Sequence, residues 1–471
     1  MNGPRQFWRR TVRRLPFAII LMPLFAHADD LDDGIRNEMQ QEGVPGLTFA
    51  VVRNGEIVRL GACGLGNVEW QAQATNNTRF EVASVSKMVA GAAIRILIEQ
   101  GKVDPQAQVS RYLEKLPSSW AAMKVRHLIT MSSGLPEDFG SAAIPYDAEV
   151  CTPADDASLI KEFETLPMKQ IGDQFSYSSA NYAMLGMIVA KLSGKTYAQF
   201  LQERVFKPAG MTQSSVIDNS AIIAERAEGY RHDKSELKRG WFLGQYLHSR
   251  PDDAVLTTSR DLAKFVIALE RKLIVKDPEK MWSFPKSDTG HFLDYAYGWN
   301  SRTWLGHRRF EHAGGYRTGF HTFVARYPDD GLSVIVLTNC DFSPIRDFVN
   351  MITRTYLKDA PDPATEATKT DSDPKTTARL TAVLNGIMKR QLDLNVMYSD
   401  AIEPIGLEEA SGFLAHAAPY QYAGRGRVHL TMHGHDLVDY ETLRTEIEGR
   451  PLFLTLYRDG SGKVASIEST N

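Results

Sequence analysis

Phe80-Glu81-Val82-Ala83-Ser84-Val85-Ser86-Lys87-Met88-Val89-Ala90-Gly91-Ala92-Ala93-Ile94 is the stretch on which the reading of this chain turns. A short strand-like run passes into a long apolar helical pattern that continues to about Gln100 and stops at Gly101. At three residues' spacing Ser84 and Lys87 share one helix face, where an amine can take the proton from a hydroxyl that is otherwise a poor nucleophile. The spacing alone is weak evidence, because Ser-x-x-Lys begins five times, at Ser84, Ser158, Ser235, Ser283 and Ser372. Pro interrupts the last two, Ser235 lies in a charged, loop-like stretch, and Ser158 opens a more polar segment. Only Ser84 starts a Pro-free apolar helix. A buried helix start also turns backbone N–H groups and a positive dipole end toward the hydroxyl, where an oxyanion needs stabilising.

Two later segments extend this constellation. Tyr177-Ser178-Ser179, followed by Asn181-Tyr182-Ala183-Met184-Leu185-Gly186, precedes another apolar helix. His312-Ala313-Gly314-Gly315 sits between the strand-like runs 308–310 and 319–324. Taken in order, Ser-x-x-Lys, Tyr-x-Ser and His-x-Gly resemble the three signature elements of the serine β-lactamase and penicillin-recognising family. The branch most similar is that of class C β-lactamases, DD-carboxypeptidases, D-aminopeptidases and related esterases. Further ordered matches are Gly43-Val44-Pro45-Gly46-Leu47, His127-Leu128-Ile129-Thr130-Met131-Ser132-Ser133-Gly134-Leu135, Lys207-Pro208-Ala209-Gly210-Met211 and Thr257-Thr258-Ser259-Arg260-Asp261-Leu262-Ala263. The resemblance spans roughly residues 34–357.

The resemblance implies an α/β (α+β) fold: an antiparallel sheet with flanking helices, an all-helical subdomain, and the active site in the cleft between them. It implies Ser84 as nucleophile, Lys87 as its proton acceptor (as a neutral amine or through Tyr177), and Tyr177 as the proton shuttle of acylation and deacylation. Ser179, His312, Gly314, Gly315 and Arg317 are the implied substrate contacts, with the N–H groups of Gly315 and Ser84 as the oxyanion hole. Three positions depart from the pattern. Ser179 stands where many relatives have asparagine, and its hydroxyl is shorter with a single donor. His312 replaces a lysine, and histidine is mostly neutral at pH 7. Asp252-Asp253 stands where relatives have a Gly-Gly pair; two acids near the cleft would disfavour anionic substrates, but sequence does not place them. The expected function is an exported serine hydrolase acting on an ester or a D-amino-acid-containing peptide. The alternatives are a class C-like β-lactamase and a penicillin sensor that is acylated without turnover.

At 471 residues the chain has room for two or three domains, and 43% hydrophobic with 24% charged residues is ordinary for a globular protein. Residues 1–28 hold five arginines and no acid, then an apolar run ending in Ala26-His27-Ala28, which reads as a signal peptide for general secretion into a bacterial periplasm or beyond. Its loss takes the formal charge from −3 to −8, which excludes a nucleic-acid binder, and no membrane anchor is expected afterwards. Cys63, Cys151 and Cys340 have no metal-ligand spacing, and sequence does not choose a disulfide pair among them. No cofactor is implied, and the oligomeric state is open.

Residues 48–52 and 57–60 around Asn54-Gly55 read as a hairpin, 84–269 as largely helical, and 299–337 as strands again, followed by a helix over 344–356. The catalytic domain is therefore set at 29–357. The polar, Pro-rich stretch 358–375 reads as a linker, and 376–471 as a small accessory α+β domain whose removal leaves a soluble catalytic domain. Its histidines, His416, His429, His433 and His435, read as surface residues rather than metal ligands, since no carboxylate or cysteine cluster accompanies them.

Overall fold

The computed structural model describes residues 26–136, 155–233, 236–316, 318–341, 343–357, 373–399, 401–402, 406–417, 419–432, 435–447 and 450–470. The signal-peptide reading falls almost wholly outside them; Ala26 opens a helix, Ala26–Glu42. The strands, in chain order, are β1 Gly46–Arg53, β2 Glu56–Asn67, β3 Ala72–Gln73, β4 Phe80–Glu81, β5 Ser215–Val216, β6 Tyr230–Asp233, β7 Glu236–Arg239 and β8 Val255–Thr257. They continue with β9 Tyr295–Ala296, β10 Trp299–Trp304, β11 His307–Tyr316, β12 Phe320–Tyr327 and β13 Leu332–Thr338, then β14 Gln421–Met432, β15 His435–Ile447, β16 Arg450–Asp459 and β17 Val464–Thr470.

The main sheet has eight strands in the order β3-β2-β1-β13-β12-β11-β10-β9. The N-terminal hairpin thus pairs with strands from the far end of the domain, Phe49 opposite Val336 and Val51 opposite Val334. The hairpin turn has Asn54 at φ 51° and Gly55 at φ 75°, the two positive values that match the twist of the flanking strands. Alternation along β1 feeds two cores. Leu47, Phe49 and Val51 pack with Ile35, Phe348 and Ile352 of the outer helices Ala26–Glu42 and Ile345–Tyr356, while Ala50 and Val52 join the core that holds Met88, Leu97 and Leu269.

The helix Ser86–Glu99 runs through that second core, with Met88 to Ile94 buried without a break. It can do so because Gly91 lies against the backbone of Tyr297: a Cβ there would sit 2.1 Å from the Tyr297 carbonyl oxygen. The region 84–269 is less purely helical than its pattern suggests. It supplies β5 and β8 to a three-stranded sheet, β4-β8-β5, and forms a small hairpin, β6-β7, all from strands too short to show a period of two.

The C-terminal unit is a four-stranded antiparallel sheet, β14-β15-β16-β17, covered by the helices Pro374–Met388 and Gly406–Leu414 through Leu380, Leu384, Ala410 and Leu414. Its first helix starts earlier than the expected boundary after Lys375. Asp373 caps it, accepting from Thr376 N at 3.1 Å, and Pro374 occupies a position where its missing N–H is not needed. The sheet is also docked on the catalytic unit. Tyr457 Oη accepts from Gly306 N at 3.2 Å, Glu468 Oε1 accepts from Thr303 N at 3.1 Å, and Phe453 is buried in one cluster with Trp304 and Leu305. Of the cysteines, Cys63 and Cys340 are buried free thiols, and Cys151 lies outside the described residues.

Two outcomes follow from the packing. Gly91→Ala should cost about 1–3 kcal/mol in urea unfolding, because backbone must move, whereas Gly412→Ala, with no neighbour within 4 Å, should stabilise by roughly 0.5–1 kcal/mol. A chain ending at 357 should melt at a lower temperature and bind a hydrophobic dye, because Trp304 and Leu305 lose Phe453; this revises the expectation of a self-sufficient catalytic domain.

Candidate active site

Ser84 sits in a one-turn helical segment, Ala83–Val85, immediately ahead of the helix rather than in its first turn. Three contacts pin that turn. Val82 N donates to Val255 O at 3.0 Å, Thr322 Oγ1 donates to Val82 O at 2.9 Å, and Val85 N donates to Val82 O at 3.1 Å. Ala83 is held at φ 45°, in the left-handed region that alanine avoids. β11 comes close because its residue there is Gly314: a Cβ would lie 2.2 Å from Val82 O and 3.1 Å from Ser84 N.

Lys87 has no solvent exposure. Its Nζ donates to Ser84 Oγ at 2.8 Å and to Asp252 O at 3.4 Å, lies 3.8 Å from Asp253 Oδ1, and stands 5.1 Å from the centre of the Tyr177 ring. Ser84 Oγ in turn donates to Asp253 Oδ1 at 3.2 Å. The two acids whose place the sequence left open are therefore inside the site. The short sheet puts them there: Ser86 Oγ accepts from Val255 N at 3.0 Å, and Asp253 N donates to Arg250 O at 2.9 Å. Arg250, itself buried, grips Asp252 with both arms, Nε to Oδ1 at 2.7 Å and Nη2 to Oδ2 at 2.8 Å.

These neighbours divide the charges. Burial alone would pull Lys87 down, but Tyr177, Asp253 and Asp252 together hold its ammonium above the usual lysine range. That disfavours the neutral amine, one of the two routes the motif leaves open, and favours the relay through Tyr177. Burial would likewise raise Asp252, yet Arg250 and Lys87 keep it below the usual carboxylate range. Asp253 has no arginine fork; burial and the neighbouring Asp252 charge push it up to about 7, against the pull of Lys87.

Tyr177 lies half-buried on the other side of the lysine, its phenol raised by burial while Lys87 and Ser84 favour the ionised form. Its ring meets those of Tyr295 and His312, both at 6.3 Å. His312 is buried, its Nδ1 2.6 Å from Ala313 O and its Nε2 3.0 Å from Tyr295 Oη. A nitrogen facing a carbonyl must carry the hydrogen, so Nε2 accepts from the tyrosine and the ring is neutral. Burial, then the nearby Lys87 charge, push its pKa down to about 3. Tyr295, itself fully buried, is thus a partner that motif reading missed; nothing local marks an aromatic in the two-residue strand β9 as a histidine's donor.

The remaining expected residues separate. Ser179 precedes the helix Ala180–Ser193 and makes no side-chain cap there. Asn181 is no substitute for the missing asparagine, because both its amide hydrogens are used inside, on Ser178 O at 2.9 Å and Met131 Sδ at 3.2 Å. Gly315 is exposed on β11 beside the nucleophile turn, and Arg317 lies outside the described residues. Among the described residues no cluster of histidine, cysteine and acidic side chains fits a metal ion, and no helix is long and apolar enough to cross a membrane.

Arg250→Met should destabilise the protein by about 3–5 kcal/mol in denaturant titration, since it strands the Asp252 carboxylate without a partner.

Comparison with known proteins places this geometry among relatives. The Beta-lactamase family model matches residues 31–355. Penicillin-binding protein 4* of Bacillus subtilis (strain 168) is 26% identical over 308 residues, 62% of this chain and 67% of that protein. The putative penicillin-binding protein PbpX of the same strain is 32% identical over 265 residues, 55% of this chain and 64% of that protein. The chain thus spans about two thirds of the length of these curated relatives. The octameric penicillin-binding protein homologue from Pyrococcus abyssi superposes with a TM-score of 0.59 at 21% identity, covering 92% of this chain and 96% of that one, a likeness of fold.

Proposed function

Because this chain belongs to the Beta-lactamase family, we propose that it is a serine hydrolase that forms an acyl-enzyme on Ser84 and acts, after export, on an ester or a D-amino-acid-containing peptide. The observation that carries the reading is the hydrogen bond of 2.8 Å from a fully buried Lys87 to Ser84 Oγ. Lysine is almost never fully buried unless it is paired, and one whose nearest partner is a serine hydroxyl marks a functional-site candidate. In the proposed reaction Ser84 Oγ adds to the substrate carbonyl, the Ser84 and Gly315 N–H groups receive the oxyanion, and the Lys87 ammonium stabilises the developing alkoxide. Tyr177, facing both Lys87 and Ser84, relays to the leaving group the proton that the Ser84 hydroxyl gives up.

His312 supports the choice of substrate. A neutral imidazole that already accepts from Tyr295 offers no fixed positive charge for a substrate carboxylate, and the charges of Lys87 and Arg250 are already met by Asp253 and Asp252. Neutral esters, or peptides held by backbone contacts along β11, fit this better than anions. The second reading, acylation by a β-lactam with slow release, rests on the penicillin-binding names of the relatives.

Mass spectrometry of the protein after exposure to an activated ester, a D-Ala-D-Ala peptide and a β-lactam, with product followed in parallel, separates these readings. Turnover of the ester or peptide through a transient Ser84 adduct is the expected result. A β-lactam adduct that persists, with no turnover of the others, would favour the sensor, and no adduct from any of them would remove the hydrolase reading. Ser84→Ala should abolish both adduct and product at an unchanged melting temperature. Ser84→Ala should bind a neutral ester with a dissociation constant that is flat between about pH 5 and pH 8, because His312, with its pKa near 3, does not titrate there.

A further inference from the structure

We propose that Asp253 is the group that takes the proton from Ser84 as Oγ attacks, while Lys87 remains an ammonium throughout; this rests on Ser84 being the acylated nucleophile. The direction of the hydrogen bonds carries the argument. Lys87 Nζ donates to Ser84 Oγ at 2.8 Å, so the serine's own hydrogen points elsewhere, and the acceptor it finds is Asp253 Oδ1 at 3.2 Å. A charged amine that is donating to the oxygen has no lone pair with which to take its proton. The other carboxylate is engaged, since both oxygens of Asp252 lie in the Arg250 fork. Asp253 is the acid left in contact with the nucleophile.

Every charged or titratable neighbour of Asp253 is consistent with this role. Lys87 faces it from the nucleophile helix, Tyr177 from the loop ahead of the helix Ala180–Ser193, and Asp252 and Arg250 from its own segment. Together they leave it divided between its charged and neutral forms near pH 7, which is what a base working near neutral pH requires. The step balances without any other reactant. As the Oγ–carbon bond forms, the carbonyl π pair moves onto its oxygen and the serine proton moves to Asp253. On collapse, the bond to the leaving group breaks and the departing oxygen or nitrogen takes that proton by way of Tyr177, which faces Asp253 as well as Ser84. In deacylation a water gives its proton to Asp253 and adds to the acyl carbon, and Ser84 Oγ takes the proton back as it leaves.

A purely structural reading gives Asp253 the sole task of neutralising Lys87, and the two readings predict opposite signs. Acylation rates of Ser84 by an activated ester would be measured against pH for the wild type, Asp253→Asn and Asp253→Glu. We expect the wild-type rate to rise with pH through a midpoint near 7, Asp253→Asn to be slower by roughly 10²–10⁴-fold with that limb gone, and Asp253→Glu to recover part of the rate. If Asp253 only neutralises Lys87, its removal lets the lysine lose a proton more easily, and Asp253→Asn acylates as fast as wild type or faster; that result overturns the proposal and leaves the hydrolase reading intact. Should Asp253→Asn fail to fold by circular dichroism, the wild-type profile decides, and a flat rate across about pH 5 to 8 overturns the proposal. A wild type that is never acylated at Ser84 removes both readings together.

Discussion

A lysine ammonium with no exposure to water must be surrounded by enough negative charge and polar contact to replace its hydration, and this requirement organises the centre of the molecule. Lys87 meets it with the Asp253 carboxylate, the Asp252 carbonyl and the face of Tyr177. Each answer creates a further demand. Two adjacent acids cannot both be ionised in a dry pocket beside a single cation, so Arg250 is drawn inward as a second one. The segment that carries them must then be held against the nucleophile helix, which is the work of the β4-β8-β5 sheet and of Ser86. The Ser84–Lys87 pair is thereby tied to a four-charge cluster whose members come from distant parts of the chain.

The same constraint explains what could and could not be read from sequence. Ser84 and Lys87 are three residues apart on a helix, so a local pattern shows them; Tyr177 and His312 come from the order of motifs. The N-terminal hairpin was legible in Asn54-Gly55, because two positive φ values in succession call for these residues. Asp253 was visible only as an odd residue. It lies 169 positions from Ser84, and whether an acid there faces the cleft, the core or solvent depends on the pairing of strands two and three residues long. The protonation of Lys87 is not legible in the motif for the same reason, since a lysine's pKa belongs to its neighbours and the motif does not place them.

The accessory unit gives a second example. Its helices and hairpin could be recognised from periodicity, but not its docking. Phe453, Trp304 and Leu305 each look like residues of their own unit's core, and nothing in an apolar side chain states which surface it will cover. The consequence is that β10 and β11, the strands leading to His312 and Gly314, have one end under the C-terminal sheet. The strand that carries His312 and Gly314 is therefore held at its far end by the C-terminal unit, while every described residue that touches Ser84 comes from the other.

The backbone of Ala83 carries its own implication. An alanine in the left-handed region is held there by what surrounds it: the bond from Thr322 to Val82, the approach of Gly314, and the pairing of Val82 with Val255. Loosen those supports and this residue relaxes first, turning the serine away while the rest of the fold is still intact. On warming, competence and compactness would then part company, with a population of well-packed but idle molecules preceding the unfolded one. Stabilising the cores would not remove that gap. Only replacing residue 83 with glycine, which accepts the conformation without strain, would bring the two limits together.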